Sequence, residues 1–86
     1  MKTQRIKKLD RAIGTLLRNW RKEQGITQQR LCDMAMLEYG FCISQQVLSC
    51  KEYGRSSFSL VEFVSLASVL GVVPQQAFCE LLRLLE

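Results

Sequence analysis

The glutamine pair Gln45-Gln46 carries the clearest chemistry in this chain. Gln28-Gln29 and Gln45-Gln46 sit in a hexamer that occurs twice, as Ile26-Thr27-Gln28-Gln29-Arg30-Leu31 and as Ile43-Ser44-Gln45-Gln46-Val47-Leu48. A glutamine amide presents a donor and an acceptor side by side. That pair matches N6 and N7 of adenine in the DNA major groove, and a good two-point contact discriminates by about 1–3 kcal/mol. At the start of a helix such side chains aim into the groove, while the free backbone amides face a phosphate. Competing chemistry is poorly supplied. There is no histidine, and Cys32, Cys42, Cys50 and Cys79 lack the C-x-x-C spacing of a zinc or thioredoxin-like site. No nucleophile is paired with a base, so no catalysis, metal or cofactor is expected. The cysteines read as free thiols, at least two of them packed as small hydrophobes.

Positioning those amides requires helices that begin at Thr27 and at Ser44. Each hydroxyl is placed to accept a bond from an orphan backbone N–H of the first turn. The isoleucine before each cap can close against Leu31 or Leu48, the fourth helical residue. Two helices that begin alike 17 residues apart, the second ending at Glu52-Tyr53-Gly54, suggest a helix-turn-helix. Ahead of them, Ile6, Leu9, Ile13, Leu16, Leu17 and Trp20 recur at helical spacing, predicting a first helix from about Thr3 to Gln24 stopped at Gly25. The second helix should turn Leu31, Cys32, Met34 or Ala35, and also Leu37 and Tyr39, inward and end near Gly40. A fourth helix opens on a Ser59/Glu62 capping box with a Phe58–Phe63 staple and stops at Gly71. Pro74 suits a first helical position, and a fifth helix runs to about Leu85. Trp20, Phe58, Phe63 and Phe78 read as core. The fold class is all-α, a compact bundle of five helices in one domain, residues 1–86.

Charge is distributed unevenly. Residues 1–30 hold nine Lys or Arg against Asp10 and Glu23, a net of +7, whereas residues 56–86 carry a net of −2. That polarity suits one end on a polyanion and the other on a protein partner. The N-terminal Lys2, Arg5, Lys7 and Lys8 either extend the first helix or form an arm along a duplex. No apolar run approaches the roughly 20 residues of a membrane span, and residues 1–10 lack the apolar stretch of a secretory signal. A cytoplasmic protein without a membrane partner is expected.

From Ile13 to Phe78, about three quarters of the chain, the sequence resembles the lambda-repressor-like, Cro/CI-type (XRE) helix-turn-helix family. The matching residues are Leu17-Arg18 and Arg21, Gly25-Ile26-Thr27-Gln28, Leu31, Ile43-Ser44, Leu48-Ser49, Glu52-Tyr53-Gly54-Arg55, Leu66-Ala67 and Leu70-Gly71-Val72. The resemblance implies that Gln45 and Gln46 open the recognition helix and contact bases. Ser49 and Cys50 lie one turn further along it, still within reach of the groove. Gln28 looks like the family's phosphate-contacting glutamine that braces the reading residue, and Arg55 like a phosphate contact. Thr27, Ser44, Arg18, Arg21, Lys22 and Lys51 complete the phosphate candidates. Tyr53 offers a phosphate its hydroxyl, or packs. Two features depart from the family's pattern. The connection between helices two and three is longer by about six residues, Met36 to Phe41. Lys51 stands where an apolar residue is usual, so either Cys50 packs inward or the lysine stem lies buried along the surface.

The last helix is more apolar than one buried face requires. Phe78, Leu81, Leu82 and Leu85 therefore read as a homodimer interface, setting two recognition helices about 34 Å apart on double-stranded DNA. The alternative is that this helix lids the core of a monomer. The resemblance implies a sequence-specific transcriptional regulator, a repressor on a short palindromic operator, in a bacterial or phage setting. The other reading is a protein-interaction module on the same scaffold, such as an antitoxin that neutralises an unknown protein partner.

Overall fold

Helix boundaries fall where hydroxyl caps and glycines place them. The computed structural model describes the backbone of residues 2–85 and the side chains of residues 7–84. Five helices follow in order: α1 (Lys2–Glu23), α2 (Gln28–Tyr39), α3 (Gln45–Glu52), α4 (Leu60–Val69) and α5 (Pro74–Leu85). No strand occurs among the described residues. Thr27, Ser44 and Ser59 take extended backbone at the N-caps. Their hydroxyls accept from the N–H of Arg30 at 3.0 Å, Val47 at 3.2 Å and Glu62 at 3.1 Å. The capping box of α4 closes when Ser59 N–H donates to Glu62 Oε1 at 2.7 Å. The stops at Gly25, Gly40, Gly54 and Gly71 are all in place. Of the two arrangements open to residues 2–8, the backbone takes the helical one.

Four leucines, Leu17, Leu31, Leu48 and Leu66, one from each of α1 to α4, lie fully enclosed at the centre. α1 packs against α3 and α5, α2 against α3 and α4, and α4 against α5. Trp20, Phe63 and Phe78 stack in tilted succession with centroids 6.2 and 5.9 Å apart. The Trp20 indole N–H donates to Glu80 at 2.6 Å, and Gln24 donates to the Leu70 carbonyl, so polar ties fasten α1 to α5 and to the end of α4. The radius of gyration, 12.3 Å, matches the ~12 Å of a folded chain this long, so the described residues form one compact body. No single helix among them is long and apolar enough to cross a membrane.

Several side chains depart from the sequence expectation. Leu37 and Tyr39 are 79% and 54% exposed rather than turned inward. Leu37 stands on the side of α2 away from Leu31 and Ala35, and Tyr39, in the last turn, leaves half its surface in solvent. Phe41 and Ile43 fold back against the core in their place. Only Cys32 among the cysteines is buried; Cys50 is half-buried, and Cys42 and Cys79 are exposed. Burial, then the nearby Asp33 and Glu52 carboxylates, push the Cys32 thiol above its ordinary pKa, keeping it protonated. Phe78 packs one edge on Phe63 and leaves the other in solvent. Leu9 is exposed, while Ile6 and Leu85 lie outside the described side chains.

Candidate nucleic-acid interface

α3 has eight residues and is therefore about 12 Å long. Its inner face is Leu48 and, one turn later, Glu52, which is charged yet only 1% exposed. A carboxylate so placed must be paired and hydrogen-bonded. Arg21 of α1 donates to it twice, Nε to Oε2 at 2.8 Å and Nη2 to Oε1 at 3.0 Å, and Gln28 Nε2 donates to Oε1 at 3.0 Å. The remaining Arg21 nitrogen, Nη1, donates to the Ile26 carbonyl at 2.8 Å. One carboxylate thus gathers α1, the start of α2 and the end of α3. No buried side-chain nitrogen or oxygen among the described residues is left without a partner.

Two glycines let the backbones meet around this pair. A Cβ at Gly14, in mid-α1, would lie 2.4 Å from the Glu52 carbonyl oxygen and 2.5 Å from that of Lys51. At Gly54 the φ of 76° favours glycine, and an added Cβ would stand 2.6 Å from Arg11 Cγ. α1 therefore runs directly against the C-terminal end of α3 and fixes its rotation.

With that rotation set, Gln45 and Gln46 project from the first turn as exposed side chains. Ser49 follows Gln45 and Cys50 follows Gln46 at one turn's distance, both half-buried. Gln46 and Cys50 form the row turned away from the Leu48–Glu52 face, Ser49 flanks it, and Gln45 stands one turn before Leu48 on the inner stripe, exposed because it opens the helix. Their helix N-terminus is capped by Ser44, and that of α2 by Thr27. Each hydroxyl accepts a cap bond and keeps its own proton to donate. Comparison with models of protein families, with curated proteins and with solved structures finds no match.

The phosphate candidates divide. Lys22 and Arg55 are exposed. Arg18 is half-buried, with its guanidinium carbon 4.7 Å from the centroid of the Tyr53 ring, so Tyr53 serves as a packing surface for a cation. Gln28 keeps one amide proton beyond the bond to Glu52. Arg21 and Lys51 do not fit the expectation. Arg21 is buried and its donors are engaged by Glu52 and Ile26, so it is a brace and not a phosphate contact. Lys51 lays its stem along the surface, with its ammonium 5.7 Å from the Phe58 ring centroid. It donates to the Ser57 carbonyl at 2.6 Å and to Glu62 at 3.2 Å. Partial burial alone would raise the Glu62 carboxyl; the Ser59 N–H and the Lys51 ammonium outweigh it and hold the pKa below its ordinary value.

Sequence reasoning missed Gly14 and the bracing role of Glu52. Signals for both were present. A glycine inside a long helix costs about 1 kcal/mol against alanine and usually marks close packing. Glu52 sits one turn after Leu48, on the apolar side of α3, where an acid requires a buried cation.

Proposed function

We propose that this protein is a sequence-specific DNA-binding regulator of the lambda-repressor-like, Cro/CI-type helix-turn-helix kind, acting as a repressor on a short palindromic operator. The observation that carries this reading is the two-faced character of α3. One face is locked to α1 and α2 through Leu48 and Glu52, while the first turn leaves Gln45 and Gln46 open to solvent, Gln46 on the outward side and Gln45 ahead of Leu48 at the helix start. The amides then read base edges while the Thr27- and Ser44-capped N-termini meet phosphates on either side. A rigid mounting matters because a bidentate amide–adenine contact tolerates little displacement. The net charge of +7 over residues 1–30 supplies the sequence-independent attraction. Exposed apolar side chains on α5, Phe78 and Leu82, support association into a homodimer, which would set two α3 helices about one DNA turn, ~34 Å, apart.

Selection from a random duplex library at fixed salt tests the reading. A short enriched palindrome is the expected result, and Gln45→Ala should relax preference at one base pair of each half-site by about 1–3 kcal/mol. Recovery of unenriched sequence, or a Gln45→Ala variant with unchanged preference, overturns it.

A further inference from the structure

A solvent-open recess of about 590 Å³ lies where the early turns of α1 meet the connection from α3 to α4. Lys7 and Arg11, one turn apart on α1, line it together with Arg55, which follows Gly54. All three are exposed, and none forms an ion pair among the described residues. The one carboxylate in its wall, Asp10, accepts from Ser57 Oγ at 2.8 Å and so fastens the connecting segment to α1. Behind the cations, Gly54 brings the end of α3 against Arg11, where an added Cβ would come within 3.0 Å of the Arg11 Cα. Arg11 and Arg55 are thus mounted on closely packed backbone, with Lys7 one turn earlier on the same helix as Arg11.

Compensation of the α3 dipole does not account for this cluster. That role needs a cation at the last turn of α3, and Lys51 stands there already. Lys7, a full turn of α1 beyond Arg11, is not needed for it. Three cations converging on one open recess make an anion site, and a tetrahedral oxyanion with several acceptor oxygens fits donors arriving from two directions.

We infer that Lys7, Arg11 and Arg55 form a phosphate-binding recess that grips the backbone of a bound duplex beyond the groove entered by α3. This rests on the DNA-binding reading above and adds the early turns of α1 to the contact surface. The recess adjoins the C-terminal end of α3, about 12 Å along that helix from Gln45. The major groove is about 12 Å wide, so with the leading end of α3 on the bases its far end reaches the phosphate wall.

The test compares the wild-type chain with a Lys7→Gln, Arg11→Met variant, methionine keeping a stem against Gly54, and with Arg55→Gln as a variant that leaves α1 untouched. Affinity for a selected duplex is measured across a salt series. In parallel, inorganic phosphate is titrated while the backbone amides of residues 54–57 are followed by NMR. The slope of log affinity against log salt should become shallower by about 0.9 for each recess lost, with unchanged base preference. Either variant should show it. Duplex binding with wild-type slope in both variants overturns the recess while leaving the DNA reading intact. If the wild-type chain binds no duplex but phosphate shifts these amides, and the variants abolish the shift, the DNA reading falls and the recess stands as a site for a free phosphate ligand. Silence in both arms overturns both.

Discussion

Arg21 and Glu52, 31 residues apart in sequence, face each other as a two-point ion pair whose side chains are 9% and 0% exposed. Desolvating two charges is expensive, and such a pair is held together because each partner supplies the other's opposite charge, with Gln28 and the Ile26 carbonyl taking up the remaining bonds. Removing one leaves a buried charge alone. Arg21→Ala or Glu52→Ala should therefore each cost about 3–5 kcal/mol in urea unfolding. Replacing both, as Arg21→Met with Glu52→Leu, should cost much less than the two single losses summed. Additive losses would mean that the residues do not depend on one another. In the double variant Gln28 also loses its acceptor, so duplex affinity should fall even where stability recovers.

Gly14→Ala sets two effects against each other. Alanine gains about 1 kcal/mol in helix propensity, yet its Cβ would meet the carbonyl oxygens of Glu52 and Lys51 at under 3 Å. Both obstacles are backbone, so α1 and α3 must separate, and overpacking of that kind costs about 1–3 kcal/mol. A net loss of thermal stability is expected. Gly25→Ala is the companion measurement: nothing lies within 4 Å of its Cβ, but its φ of 66° strains any other residue. Only the Gly14 substitution should disturb amide shifts along α3.

Local rules made most of this architecture legible. Hydroxyl caps at Thr27, Ser44 and Ser59, together with glycine stops, are short-range signals, and they bound α2, α3 and α4 at both ends and α1 at its C-terminal end to within a residue or two. Long-range pairing was not legible in the same way. Arg21 and Lys51 looked like surface cations because nothing in their own neighbourhood shows that Glu52 lies under one and Glu62 beside the other. Gln45 and Gln46 were readable as exposed first-turn residues. The recess at Lys7 and Arg11 was not, since it exists only because Gly54 and Gly14 bring α1 and α3 together. Leu37 and Tyr39 misled for a related reason. Apolar residues in a helix imply a partner surface, and the last turn of α2 has none among the described residues.

Glu62 should give stability a measurable acid-side dependence. Its folded pKa is lowered: partial burial pushes upward, and the Ser59 N–H and Lys51 ammonium prevail over it. A depressed folded pKa means that the unfolded chain binds more protons over this range, so stability rises with pH there. The contribution is complete above the unfolded carboxylate pKa of about 4.3 and is lost as pH falls through the folded value. Unfolding free energy measured from about pH 6 down to about pH 3 should drop less steeply for Glu62→Gln than for the wild type. Parallel curves would remove Glu62 from the acid response. Lys51→Met should flatten the curve in the same direction, because it removes one of the bonds that lower this carboxyl.

The outer face of α5 decides whether two copies associate. Ala77 is buried and Leu81 is partly buried against the core, so both already have partners within the chain. Phe78 and Leu82 share a neighbouring row one turn apart, with Leu82 62% exposed. Leu81 is thus a poorer interface residue than its composition suggested, and Leu82 is the better probe. Leu82→Lys places a charge on that row without touching the core, so folding stability should change by no more than about 0.5 kcal/mol. If α5 joins two copies, sedimentation at tens of micromolar without DNA should show a dimer for the wild type and a monomer for Leu82→Lys. Duplex affinity should fall at the same time, while preference at each half-site is retained, because Gln45 and Gln46 remain in place. A wild-type mass already monomeric under those conditions would make α5 a lid on its own core and leave one α3 helix to act per chain.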